Sequence, residues 1–300
     1  MRILMDPSVG DPDRFRERHH VLGVLRAIAA SPAAPDTAVV LSAHRRHRSW
    51  SALAGVTAPL VVALGDEDAR LRRALVDQAT AVLQCYRPDD PSWPAQVLRL
   101  PLGPGGPPPD TPARPWQERD LDVVFVGHLH PRRWALARGL GAVKGRLRAL
   151  PDPLLAALRS RVVELGEVQP LPDRRTVLRF TERFGAGLPS EAHLSLLSRA
   201  RIALVPPGFK QDETFRHHEA ARAGCVLVGA PLPDYPVIPV PRPQDLLPLL
   251  VRLLDDEDGL YERHLAVVDA WRERGCSAAV GRRLAAQLSA LSPHLPRPTR

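Results

Sequence analysis

Short apolar runs alternate along this chain with stretches whose apolar residues fall at helical spacing, and that alternation restricts the fold more than any other feature. Runs at 1–6, 37–42, 59–64, 81–85 and 96–100 read as buried strands. Segments 14–30, 45–53 and 66–78 between them read as amphipathic helices. Strands separated by helices of this length imply βαβ crossovers and a parallel sheet. A segment dominated by Gly and Pro, 103–115 around Pro107-Pro108-Pro109, then interrupts the pattern and reads as a stiff linker.

A second series follows. Strands are expected at 121–126, 201–205 and 225–229. Helices are expected at 132–150, 191–199, 213–223, 244–254, 259–275 and 278–291. The expectation is therefore an α/β chain of two Rossmann-like domains: 1–102, a linker at 103–119, and 120–300 carrying the C-terminal helices. Two such halves facing a cleft would present the carboxyl ends of their strands to a ligand.

Composition removes other classes. The apolar fraction of 44% is that of a folded chain, and no run approaches the roughly 18 apolar residues of a membrane helix. No signal-peptide core is evident at the start, so the cytoplasm is the expected compartment. Three cysteines, Cys85, Cys225 and Cys276, are widely spaced, which argues against a disulfide framework or a zinc site. The net charge of +8 comes almost wholly from scattered arginine, since Lys144 and Lys210 are the only lysines. Basic runs with interleaved aromatics are absent, so a nucleic-acid partner is not expected. Such a surface still favours anionic ligands, and peripheral contact with a membrane face stays open.

The most informative stretch runs Ser198-Arg-Ala-Arg-Ile-Ala-Leu-Val-Pro-Pro-Gly208, then Thr214-Phe-Arg216-His-His-Glu219-Ala-Ala-Arg-Ala-Gly224-Cys225-Val-Leu-Val-Gly229. It reads as strand, glycine turn, polar loop, helix, glycine, strand. Backbone N–H groups at the helix start suit phosphate oxygens. Arg216 has the fork geometry to grip a phosphate, and Glu219, one turn on, suits the hydroxyls of a ribose. The same pair, three residues apart, also reads as a surface ion pair.

The order strand, Pro-Gly, Arg-x-x-Glu-Ala, then Gly-Cys before a strand resembles the donor-binding signature of exostosin-like glycosyltransferases of the GT-B architecture. Asp122-Val-Val-Phe-Val-Gly127, with Arg132 or Arg133 soon after, is similar to that family's entry into its C-terminal domain. The resemblance is good over about 121–229 and weaker at Leu64-Gly-Asp-Glu67, Tyr86-Arg87 and Leu100-Pro-Leu-Gly103. It is absent before about residue 35, where the N-terminal domain is shortened. It implies transfer of a sugar from a nucleotide-diphosphate donor, a UDP-sugar being favoured, to an acceptor hydroxyl on a glycan or small molecule, with no cofactor and no obligatory metal. It further implies that Arg216 contacts the diphosphate, Glu219 the ribose, and that Gly127 lets the backbone approach the donor. A nucleotide-binding protein without catalysis is the alternative.

Arg132, Arg133, Gly208 and Lys210 complete the expected donor site; each arginine and the lysine also reads as a solvated cation. Phe184-Gly-Ala-Gly187 with Ser190 reads as a loop admitting a nucleobase or as a turn with an N-cap serine. For the general base, Asp6, His19 and His44 are the candidates, with Asp11 and His20 nearby in sequence. Asp66-Glu67-Asp68 has the spacing of a metal-binding acidic motif, yet acids there also complement a helix dipole. The pairs His128/His130, His217/His218 and His44/His47 read as surface histidines rather than metal ligands.

Overall fold

The computed structural model describes residues 1–6, 9, 17–32, 34–42, 53, 55–57, 59–64, 73–85, 93–106, 113–143, 166–181 and 187–291. The chain divides into two compact units: Met1–Pro108 with Glu273–Arg300, and Pro109–Arg272. Both are α/β, each on a mainly parallel sheet.

The first unit contains β1 (Arg2–Met5), α1 (Arg18–Ala29), β2 (Thr37–Ser42), β3 (Leu60–Leu64), α2 (Arg73–Gln78), β4 (Ala81–Gln84) and β5 (Val97–Arg99). Its five strands pair in parallel in chain order, β1-β2-β3-β4-β5. β3 is buried along its whole length, which is why it reads as a continuous apolar run without alternation. Leu41, Val61, Ala63 and Val82 pack against Leu75 and Val76.

The second unit contains β6 (Leu121–His128), α3 (Trp134–Gly139), β7 (Gly166–Val168), β8 (Thr176–Thr181), α4 (Ser190–Arg199), β9 (Ala200–Val205), α5 (Phe215–Arg222), β10 (Val226–Gly229), β11 (Ile238–Pro239), α6 (Leu246–Asp255) and α7 (Glu257–Ala270). Its sheet runs β11-β10-β9-β6-β8-β7, parallel except for the antiparallel edge β7. Side chains alternate between two cores. Val123, Phe125, Ile202, Leu204, Val226 and Val228 face α3 and α6. Val124, Ala203, Val205 and Leu227 face the side packed by α4, α5 and α7. Among the described strands, the order reverses beside β6, with β8 on one flank and β9 on the other. The carboxyl ends of β6 and β9 therefore form a switch point, where open α/β sheets hold ligands.

Four expectations change. The helix expected at 132–150 begins as a 3-10 turn, Pro131–Arg133, and α3 ends at Gly139. Its stop is a left-handed Gly141 (φ 68°) with Ala142 N–H donating to Ala137 O and Gly141 N–H to Arg138 O. Residues 113–119, expected as linker, belong to the second unit. Trp116 is buried there and stacks on His264 with ring centroids 4.8 Å apart. The helix expected at 259–275 is α7 followed by a π-helical turn, Trp271–Gly275.

The fourth change concerns the last helix, α8 (Ser277–Leu291), which packs with the first unit instead of the second. It lies on α1 at close range: a Cβ on Gly281 would meet Ala27 Cβ at 2.5 Å, and one on Gly23 would meet Ser277 Cβ at 2.7 Å. Gly281→Leu is therefore expected to cost roughly 3 kcal/mol of first-unit stability through overpacking. Hydrogen exchange across 277–291 should rise while β6, β9 and β10 stay protected. Unchanged protection of α8 would refute the tight helix contact.

Candidate anion-binding site

Two loops meet over the switch point. After β6 the chain turns through His128, Leu129 and His130 into Pro131, whose fixed φ suits a helix start. After β9 it leaves through Pro206, Pro207 and Gly208 towards α5. Gly208 N–H donates to Gln211 O at 2.9 Å, and a Cβ on Gly208 would lie 3.0 Å from that oxygen, so glycine keeps this turn tight.

Arg133 bridges the two loops. Its Nε donates to Pro207 O (3.1 Å) and Nη1 to His128 O (3.0 Å). The residue is 8% exposed and has no carboxylate within ion-pair distance among the described residues. Burial, and then the charge of Arg216, lower its pKa to about 10, so it remains a cation at neutral pH. A buried guanidinium without a counter-ion, beside a second guanidinium, is costly in a bare protein and is relieved by an anionic ligand.

Arg216 stands in the first turn of α5. Its Nη1 donates to Glu219 Oε2 at 2.6 Å and lies 3.0 Å from His193 Nδ1 on α4. The remaining guanidinium N–H groups of Arg216 make no hydrogen bond among the described residues. Glu219 is only 3% exposed. Burial opposes its ionisation, but the charges of Arg216 and His193 and the Arg216 hydrogen bond prevail, holding its carboxyl below the usual range. The pair therefore joins a half-buried arginine to a buried carboxylate and is not the surface contact that spacing alone allows. Glu219 Oε1 makes no hydrogen bond among the described residues.

The N-terminus of α5 is fixed by the two histidines that follow Arg216. Thr214 N–H donates to His217 Nδ1 (3.3 Å), with Thr214 Oγ1 3.0 Å from the same nitrogen, and His217 Nε2 is 2.9 Å from Ala230 O. This sets the Nε2–H tautomer. His218 lies between Tyr235 Oη and Glu213 Oε1, each at 2.8 Å. Both rings are buried and hold the helix start in place, contrary to the expectation of surface histidines.

Burial lowers the His217 pKa to about 4, despite opposing contributions from the Ala230 carbonyl and Glu213. An unfolded histidine binds a proton near pH 6.5, whereas folded His217 resists until about 4. Its contribution to stability is complete above pH 6.5 and falls as pH drops towards 4, by roughly 3 kcal/mol in all. The thermal midpoint should fall between pH 7.5 and 5, and His217→Gln should flatten that profile. Parallel profiles for the two proteins would remove His217 as the source.

The remaining candidates divide. Arg132 is exposed and ties down the β9 loop, with Nη1 donating to Gly208 O (3.2 Å) and Nη2 to Asp212 (2.6 Å). Lys210 is exposed on that loop. At Gly127 a Cβ would sit 3.0 Å from Arg133 Nη1 and 2.9 Å from the Phe125 ring, so its bareness makes room for Arg133. Asp6 follows β1 with a buried side chain, and His19 is exposed on α1. His20 is buried, with Nδ1 3.0 Å from Ser277 Oγ. Ser190 is the first residue of α4 after an N-cap at Pro189, so it is not the N-cap. His44, His47, Asp11, Asp66-Glu67-Asp68 and 182–186 lie outside the described residues. His128 and His130 pack against the exposed Phe209, the His130 ring stacked at 4.3 Å. No cluster of three metal-ligating side chains occurs among the described residues, and no helix there is long and apolar enough to cross a membrane. Sequence reasoning missed His193, whose place beside Arg216 depends on the packing of α4 on α5.

No protein-family model matches the chain, and none of the curated proteins matches it. Among solved structures it is similar to an α-glucosyltransferase (AGT) in complex with UDP, at 11% identity and TM-score 0.47, covering 88% of this chain and 76% of that one. It is also similar to AviGT4, a glycosyltransferase involved in avilamycin A biosynthesis, at 14% identity and TM-score 0.45, covering 93% and 91%. A putative UDP-N-acetylglucosamine 2-epimerase from Listeria monocytogenes follows at 10% and TM-score 0.40, covering 94% and 81%. With every one of these TM-scores below 0.5, the fold stands on the sheet topology and the site on its own geometry.

Proposed function

We propose that this chain is a glycosyltransferase of the GT-B type, related to the exostosin-like family, that moves a sugar from a nucleoside diphosphate, UDP favoured, to an acceptor hydroxyl in the cytoplasm. The observation that carries this reading is Arg133: a buried, uncompensated cation at the switch point, with Arg216 beside it. Arg133 and the unengaged N–H groups of Arg216 hold the diphosphate. Oε2 of Glu219 orients Arg216, leaving Oε1 to accept from a ribose hydroxyl. Arg132 keeps the β9 loop in place, and Lys210 on that loop adds a further cation.

In the reaction the bond from the sugar's anomeric carbon to the diphosphate breaks and one to the acceptor oxygen forms. The two guanidiniums stabilise charge growing on the leaving diphosphate. The acceptor proton passes to a base, for which Asp6 is the first candidate and His19 the second. No metal is required, so EDTA should leave turnover unchanged.

Calorimetry with UDP, followed by transfer assays over a panel of UDP-sugars, tests the reading. UDP should bind, and Glu219→Gln should weaken it by about tenfold through loss of a charged hydrogen-bond partner. Asp6→Asn should keep UDP binding and lose transfer. A folded protein that ignores UDP and other nucleoside diphosphates would overturn the proposal, and binding without turnover across the panel would make it a nucleotide binder.

A further inference from the structure

A concavity in the same unit has a chemistry different from that of the anion site. It encloses about 440 Å3 at the carboxyl ends of β9 and β10, within the volume range of small-molecule sites. Its walls come from Pro207, Val228, Pro231, Pro239, Pro241 and Leu246, with Ala135 of α3 at its edge. It opens on the sheet face covered by α3 and α6, whereas α5, which carries Arg216 and Glu219, packs on the opposite face. The loop 206–212 borders both.

Those walls decide what fits. Six of the fifteen lining residues are proline, which has no N–H, so those positions offer no backbone hydrogen-bond donor. A sugar or nucleotide, with polar groups on nearly every carbon, would lose more water here than Arg132 and Asp212 can replace, at a cost of about 1–3 kcal/mol for each stranded group. A flat or cage-like hydrocarbon loses nothing and gains burial. The lining's charged side chains among the described residues, Arg132 and Asp212, are exposed and paired with each other at 2.6 Å. An exposed pair of that kind is weak and readily exchanges partners with a polar group on a ligand.

We propose that this cavity binds a rigid apolar small molecule, an aromatic or alicyclic ring system with one polar end placed against Arg132 and Asp212. The cavity's occupant is independent of the anion site and of whether the chain transfers sugars.

The probe 1-anilinonaphthalene-8-sulfonate, which joins a ring system to one anionic group, tests the proposal on the full chain by fluorescence and calorimetry. One saturable site per chain is expected. Ala135→Trp, at an exposed position of α3, should fill the cavity and weaken the probe by roughly tenfold or more, with the thermal midpoint and UDP binding unchanged. Val240→Trp, from the opposite wall, should act the same way if the first variant unfolds. Only weak, unsaturable probe binding, or wild-type affinity in both tryptophan variants, would overturn the proposal. So would displacement of the probe by methyl glucoside. Arg133→Met should leave the probe bound while removing UDP, which separates failure of this site from failure of the anion site.

Discussion

Arg133→Met is expected to raise the Kd for UDP by roughly 100-fold, about 2.7 kcal/mol, in line with losing one charge-assisted contact to a phosphate. The same substitution should move the thermal midpoint by no more than a few degrees, because two effects oppose each other. The variant loses hydrogen bonds to Pro207 O and His128 O. It also removes a buried cation with no carboxylate partner, one whose charge is repelled by that of Arg216. A structural arginine would show the reverse pattern, with stability falling and affinity kept. Arg133→Lys should recover only part of the affinity, since an ammonium cannot bridge two loops and a phosphate with one planar fork. Titration calorimetry beside thermal melts reads both quantities.

Arg119→Ala is expected to produce the largest loss of stability in the second unit. This arginine closes the far end of α5, where the helix stops in a left-handed Gly224 (φ 70°). Its Nη2 donates to Ala223 O at 2.6 Å and its Nη1 to Ala200 O at 2.6 Å and Gly224 O at 3.3 Å. Ala223 O would lose its donor and Ala200 O would keep only the Cys225 thiol at 3.5 Å, at roughly 1–3 kcal/mol each, whereas Gly224 O keeps His264 Nδ1 at 2.6 Å; a total of about 2–6 kcal/mol rivals the stability of a domain. Burial lowers the pKa of Arg119, yet its charge sits at the negative end of the helix dipole, which Arg133 lacks. That contrast separates the two buried arginines. Urea denaturation showing less than 1 kcal/mol of loss would mean that water or a local shift replaces the donor.

Much of this architecture is readable from period and punctuation. β2, β3, β4, β6, β9 and β10 are runs of Val, Leu, Ile and Ala between turn residues, because a parallel strand buried on both faces has no polar side to show. The edge is harder. β8, Thr176-Val-Leu-Arg-Phe-Thr181, carries a strand's residue types, but its neighbour β7 has three residues and β11 only two, too few to set a period. α8 reads as a helix from its own residues, while its attachment to α1 rests on the paired glycines 23 and 281, whose meaning appears only in contact.

The site shows the same division. Arg216 and Glu219 declare themselves through the turns that flank their helix. Arg132 and Arg133 are adjacent and identical in type, and only burial makes one a loop tie and the other an uncompensated cation. His217 and His218 look like surface residues in a polar stretch, yet their hydrogen bonds to Ala230 and Tyr235 come from segments distant enough to escape any local pattern.

A crystal structure of the chain soaked with UDP tests the central claim most directly. The account predicts diphosphate oxygens within hydrogen-bond distance of both Arg133 and Arg216, over the carboxyl ends of β6 and β9. Ordered UDP bound elsewhere, with Arg133 still donating only to Pro207 O and His128 O, would contradict it.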